Sequence, residues 1–336
     1  KEKEKMLRAM DSAVAGLRAH QNKMDVVGHN IANVNTYGFK AQTYTFKEAM
    51  YQTSTASTGN NGNAGGANAA QYGYGTLMGT IGMDMTASTP TYLGGFNASI
   101  DGEGFFITSS SLQDKIDDIS AKDITTVNYD YTRVGQFTVD SSGYIVDGNG
   151  NFVYGFQPAN NDMYTGTINA DQGKILVPLC APKATSTQGT YEFITTTGNP
   201  PVTDPALKLG NIQIDQNGKV SASVTVPSTA DPDQHISETI YLGTVAIATF
   251  QNPNGLSKVG GNYYNATAGD NTGASAATVP GAGTTPTLMA GFIEASNVDL
   301  AKEFADMITT HRGFQANSKM ITVSDEMLSD LVAMKR

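Results

Sequence analysis

The chain has 336 residues, 39% of them apolar or aromatic and only 15% charged, with 36 Gly, no Trp and a formal charge of −10. That length has room for two or three domains, and an acidic chain with no basic stripe to neutralise phosphates excludes a nucleic-acid partner. No apolar run approaches the ~18 residues of a membrane span, so no membrane insertion is expected, and the single cysteine, Cys180, excludes an intrachain disulfide.

Lys1 to Lys5 alternates Lys and Glu and reads as a solvated lead-in, with Met6 as the expected natural start. The first residues lack the apolar core of a secretory signal, so export is expected to use a route other than a cleaved signal. From Met6 to about Ala32, Leu7, Met10, Val14, Leu17, Met24 and Ile31 recur in steps of threes and fours, which predicts one apolar face on a helix. Asn30-Ile-Ala-Asn33-Val-Asn35-Thr36-Tyr37-Gly38-Phe39-Lys40 stops that helix, because asparagine bonds its own main chain and Gly38 takes positive φ freely; Phe39 anchors the exit. Between Tyr51 and Tyr74 the chain is low-complexity Thr, Ser, Asn, Gly and Ala, and is expected to be a connector.

From Gly75 the pattern changes to strands and turns. Ser99 to Ile107 is a strand, a Gly102-x-Gly104 turn and a second strand; a phosphate cradle would need a helix after the glycines, and Phe105-Phe106-Ile107 is a β run. Tyr131 to Val146 alternates about an Asp-Ser-Ser-Gly turn, which predicts a hairpin. Asp147-x-Asn149-x-Asn151 offers the spaced oxygens of a calcium loop, but the sixth and twelfth places hold Phe152 and Pro158, so a second hairpin turn is the better reading. Prolines break residues 156–208 into short pieces, read as an inserted outer β domain; Cys180 sits there, with a buried structural thiol as the favoured role. Ile212 to Val220 is a hairpin turning at Asn217-Gly218, and Thr239 to Phe250 is a strand leading into Gln251-Asn-Pro-Asn-Gly255-Leu256. Residues 265–290 form a second Gly/Ala/Thr linker.

The last stretch, Gly291 to Arg336, has no proline. Ser296 or Asn297 is the expected helix cap, with Asp299 and Glu303 near the start and Lys335 and Arg336 at the end, as the helix dipole favours. Leu300, Phe304, Met307, Ile308, Phe314, Ile321, Leu328 and Val332 supply a second apolar stripe, so the simplest reading pairs the two chain ends as a coiled coil, with two helices packed in an ordinary globular core as the alternative. The histidines (His20, His29, His235 and His311) are scattered without zinc spacing, no nucleophile elbow is present, and no cofactor or enzyme activity is expected.

The two ends together resemble the flagellar rod and hook protein family. At the front these are Met6-Leu-Arg-Ala-Met10, Ser12-Ala-Val-Ala-Gly16-Leu17 and the Asn30–Lys40 stretch, including Asn30, Asn33, Thr36, Gly38 and Phe39. At the back they are Gly291-Phe-Ile-Glu294, Ser296-Asn297-Val-Asp299-Leu300, Met307-Ile308, Arg312, Phe314-Gln315-Ala-Asn317-Ser318 and Asp325-Glu-Met-Leu328. The Gly102-x-Gly104-Phe-Phe element, Tyr131-Thr-Arg133 and the Asn-Pro-x-Gly-Leu loop are similar to the family's β domain. The resemblance implies a mixed, mainly β fold: helices 6–35 and 291–336 as an inner coiled coil, an extended linker at 36–74, a split β domain at 75–155 and 209–264, and the insertion at 156–208. It also implies a self-assembling helical polymer on the outside of the bacterium, in the flagellum, with the flagellar export apparatus, the distal rod protein, the hook cap protein and the hook–filament junction protein as partners.

Within the family, the long middle, the Gln251–Leu256 loop and the insertion point to a hook subunit, the curved coupling between rod and filament. The Ser324–Leu328 ending is closer to the distal rod. Some hook proteins crosslink a cysteine to a neighbour's lysine, which gives Cys180 a second candidate role. A calcium-binding secreted β protein is the alternative from another class.

Overall fold

The computed structural model describes residues 2–59, 65–112, 124, 127–158, 176–184, 191–192, 209–227, 235–267, 269–283 and 285–334. The chain divides into two compact units. The first comprises Lys1–Val34, Lys40–Asp84 and Val298–Arg336, and the second Asn35–Phe39 and Met85–Asn297.

The first unit holds the two long helices, α1 (Glu2–Ala32) and α2 (Leu300–Ala333). α1 begins earlier than expected, since Lys and Glu are good helix formers and nothing at Met6 stops them. It ends where the Asn33 N–H turns back onto the carbonyls of His29 and Asn30. α2 is capped by Asp299 rather than Ser296 or Asn297: its carboxylate accepts from the N–H groups of Ala301 (2.9 Å) and Lys302 (3.3 Å). Lys335 and Arg336, expected to complement the helix end, lie outside the described residues. The helices run antiparallel, with Lys23 against Asp306 and Asn30 against Glu303.

The same unit carries a two-stranded antiparallel arm. Gln42–Glu48 pairs with Thr76–Met83, Tyr51–Thr55 pairs with Ala70–Gly73, and Thr58 bridges Ala67 beyond. The segment expected to be an extended linker is therefore β-paired over much of its length. Its Thr and Tyr side chains favour the pleated strand, and each half finds its backbone partner in the other half, not in a core. The Thr45 hydroxyl, for example, donates to the Thr80 carbonyl (3.0 Å).

Among the described residues, the second unit is built on a 13-stranded sheet whose paired strands are antiparallel. Its spine runs Leu209–Ile214, Lys219–Pro227, His235–Val245, Phe152–Phe156, Phe105–Ser109, Asp130–Thr132, Tyr263–Asn265 and Ser257–Gly260. The interior is a cluster that includes Phe106, Phe137, Val153, Leu242, Val245 and Ile247. Turns fall at the positions read from the sequence: Gly143 (φ 84°) closes Phe137–Val139 onto Ile145–Asp147, and Gly218 (φ 74°) closes Leu209–Ile214 onto Lys219–Pro227.

Two segments differ from expectation. Within residues 265–290, Ser275–Thr278 pairs with Ile247–Phe250 and Thr287–Ala290 pairs with Ala98–Asp101, so the Ala/Thr tract is partly strand. Backbone bonds to an available edge suffice there without large side chains. Within 156–208, Leu176–Pro178 joins the main sheet beside Phe152–Phe156, while most of the remainder lies outside the described residues. No described helix is long and apolar enough to cross a membrane.

Candidate assembly surface and motif junction

Small and polar groups meet between α1 and α2. A Cβ placed on Gly16 would come within 2.8 Å of the Asn317 amide, and one on Gly313 within 2.6 Å of the His20 ring. One turn farther along, Lys23 Nζ meets Asp306 Oδ1 at 2.9 Å, and then Asn30 Nδ2 donates to Glu303 Oε1 at 3.1 Å. Glu303 and Thr310 are buried, as are Ala13, Ala19 and Asn30 on the facing helix. Burial raises the Glu303 carboxyl above its ordinary range, although the Asn30 amide opposes the shift, and burial lowers the His20 imidazole. Asn30 also bonds both backbone groups of Gln42, which fixes the start of the arm (2.8 and 2.9 Å).

Val26 and Val27 of α1 are buried, whereas none of the described apolar residues read as the two stripes is fully buried. On α1, Met10, Leu17, Met24 and Ile31 are half-buried and Val14 is exposed; the Leu7 side chain lies outside the described residues. On α2, Met307, Phe314, Ile321 and Leu328 are half-buried, whereas Leu300, Phe304 (49%), Ile308 (55%) and Val332 are exposed. Met320, Val323 and Met327, which sequence reasoning passed over, are exposed as well.

The remaining motif residues split between the two units. Asn33 folds its side chain onto the His29 carbonyl (2.9 Å), Asn317 donates to the Gly313 carbonyl (3.1 Å), and Arg312 and Gln315 are exposed. In the second unit, Thr36 to Phe39 forms a turn with Gly38 at φ 67°, where a side chain would collide with Val134. The Gly38 N–H donates to the Glu294 carbonyl (2.9 Å), and the Asn297 N–H approaches the Phe39 carbonyl (3.4 Å). Lys258 lies 4.6 Å over the Phe39 ring, and the Asn262 amide donates to the Tyr37 carbonyl (2.8 Å). Ser296 contributes its carbonyl, which accepts from the Ser88 hydroxyl (2.9 Å).

Beneath this turn lies an ion pair that sequence reasoning did not assemble. Arg133 and Glu294 are each 1% exposed, with Nε 2.9 Å from Oε2, off the line of a good hydrogen bond. Arg133 Nη2 reaches Oε1 at 3.4 Å and Nη1 donates to the Gly104 carbonyl at 2.7 Å. Burial pulls the Arg133 guanidinium down, and Glu294 opposes the shift. The available signal was that both charges stand in otherwise apolar motif strands of a chain poor in charge.

The other candidates make local structural contacts. The Asp147 carboxylate accepts from the N–H groups of Asn149 and Asn151 (2.9 Å each) and from the Tyr263 hydroxyl, so it is a turn brace. Among the described residues no three His, Cys, Asp or Glu side chains are grouped to hold a metal. Cys180 is buried beside Tyr144 and Val146, its backbone bridged to Tyr144. The two lysines nearest Cys180 in the sequence bear on its crosslinking role, but Lys174 and the side chain of Lys183 lie outside the described residues.

Comparison with known proteins covers the same regions. Residues 10–40 match the family described as flagella basal body rod protein, and residues 289–334 match the flagellar basal body rod FlgEFG protein C-terminal family. The flagellar basal-body rod protein FlgG of Bacillus subtilis is 36% identical over 332 residues, spanning 98% of this chain and 100% of its own. The Borreliella burgdorferi protein of the same name is 29% identical over 341 residues, with 98% and 100% covered. The flagellar hook protein FlgE of Borreliella burgdorferi is 26% identical over 456 residues, again with 98% and 100% covered.

Proposed function

This chain belongs to the flagellar rod and hook protein family, structural components of the bacterial flagellum, and we propose that within it the chain is a rod subunit, polymerising with itself in the flagellar axis. The observation that carries the choice of rod over hook is length. Alignment with a rod protein takes 332 positions to cover 98% of this chain and 100% of that protein, whereas alignment with a hook protein takes 456 for the same coverage. The hook subunit remains the second reading, favoured by the Gln251–Leu256 loop and the β segment inserted after residue 156.

The geometry supports polymerisation through the helices. Phe304, Ile308, Met320, Val323 and Met327 are exposed in the single chain, and a set of large apolar side chains on one helix marks a contact surface. A neighbour's helices would cover them, forming the inner coiled-coil layer. A contact between unlike faces, repeated without closing, builds a filament. Export through the flagellar secretion apparatus and end contacts with other axial proteins follow from the same reading.

Electron microscopy of the purified chain at rising concentration and salt, beside a version lacking Leu300–Arg336, tests the proposal. Straight tubes from the full chain and none from the truncation are expected. Curved tubes would move the assignment to the hook. Tubes from the truncated chain, or a full chain that stays monomeric with basal-body seeds, would overturn assembly through the helices.

A further inference from the structure

The chain passes between its two units at 34/35, 39/40, 84/85 and 297/298. Inside the second unit, the segments beside these passages converge on one residue. The Glu294 carbonyl accepts from Gly38, within the 35–39 turn (2.9 Å). Its carboxylate accepts from the Ser88 N–H, just after 84/85 (2.9 Å). Glu294 itself stands three residues before the passage at 297/298. Secondary ties run alongside: Ser88 Oγ to the Ser296 carbonyl, the Ala295 N–H to the Thr89 carbonyl (3.3 Å), and the Asn297 N–H to Phe39. Arg133 holds the Glu294 carboxylate from below while fastened to the Gly104 carbonyl of the sheet.

We infer that Glu294 is the pin of a clamp that binds the 35–39, 85–89 and 294–297 segments into one body, with Arg133 as the residue that positions the pin. A carboxylate has acceptor capacity on both oxygens, so a single buried side chain joins a backbone N–H of one segment to a guanidinium anchored in the sheet. Force arriving along any one segment is thereby shared with the others and with the sheet. Only that load-sharing consequence rests on the rod or hook reading; the clamp belongs to the single chain.

Backbone amide exchange on the full-length monomer tests it, because local opening is read segment by segment. Glu294→Gln is expected to speed exchange roughly tenfold or more at residues 86–89, which the carboxylate holds, and less at 36–39, whose bond is to the main-chain carbonyl, while 105–109 and 245–250 stay as in the parent chain. Arg133→Met combined with Glu294→Met removes the pin without leaving an uncompensated buried charge. The clamp predicts near-parental melting for this pair of substitutions with the same selective loosening. If the double variant instead restores parental exchange at 86–89, the ion pair is ordinary packing and the clamp is wrong. Should Glu294→Gln not fold, Glu294→Asp keeps the charge but shortens its reach to the Ser88 N–H, and unchanged exchange at 86–89 would count against the clamp. Loss of tube formation in a variant with parental exchange would bear on the assembly reading and not on the clamp.

Discussion

Glu303 is a carboxylate that the helical unit would hold more easily uncharged. Burial raises its pKa above the ordinary 4.5, so the unfolded chain releases this proton first as pH rises. The group is harmless to stability at low pH, and it subtracts progressively as pH climbs from 4.5 through the raised folded value. Glu303→Gln keeps an oxygen for the Asn30 amide and removes the titration. Thermal melts followed by helix circular dichroism should show the variant melting higher than the parent at pH 7, with the gap closing toward pH 4. His20 titrates in the opposite sense, its lowered pKa favouring neutrality, but it is common to both chains and drops out of the difference. A variant with the same offset at every pH would rule out this account. At the buried pair the direction is reversed: Arg133→Met alone strands the Glu294 charge and should destabilise the β unit by about 3–5 kcal/mol in denaturant titrations.

Among the elements, α2 depends on its first turn. Asp299 satisfies two of the free N–H groups there and places negative charge at the positive end of the helix dipole. Asp299→Ala should lower the stability of the helical unit by about 1 kcal/mol, whereas Asn297→Ala should leave that helix almost unchanged; chemical denaturation with a helix readout separates the two. The arm illustrates the opposite limit, since its backbone pairing is local and few of its side chains are buried. Residues 51–55 and 70–73 are exposed throughout, so the outer arm draws its order from backbone bonds and cross-strand neighbours.

For the whole molecule, two units with separate interiors should unfold separately. Calorimetry of the chain lacking Leu300–Arg336 is expected to lose the helical transition and to keep the β transition near its parental Tm. A single broad transition, with the sheet lost as well, would show that the second unit needs the helices to fold.

The sequence by itself determined the elements that local chemistry specifies. Helical periodicity marked both chain ends, Asn-rich and Gly turns marked the end of α1 and the hairpins, and the paired terminal motifs marked the family. Tertiary structure decided what depends on a partner far along the chain. Periodicity identifies an apolar stripe but not which positions meet the other helix, and here small and polar residues come together at Gly16 and Gly313. The Ser275–Thr278 tract becomes a strand only because the edge of Ile247–Phe250 is free to receive it. Arg133 and Glu294, 161 positions apart, carry no local sign of each other. Two isolated charges become one neutralised pair only when the sheet brings them out of water together.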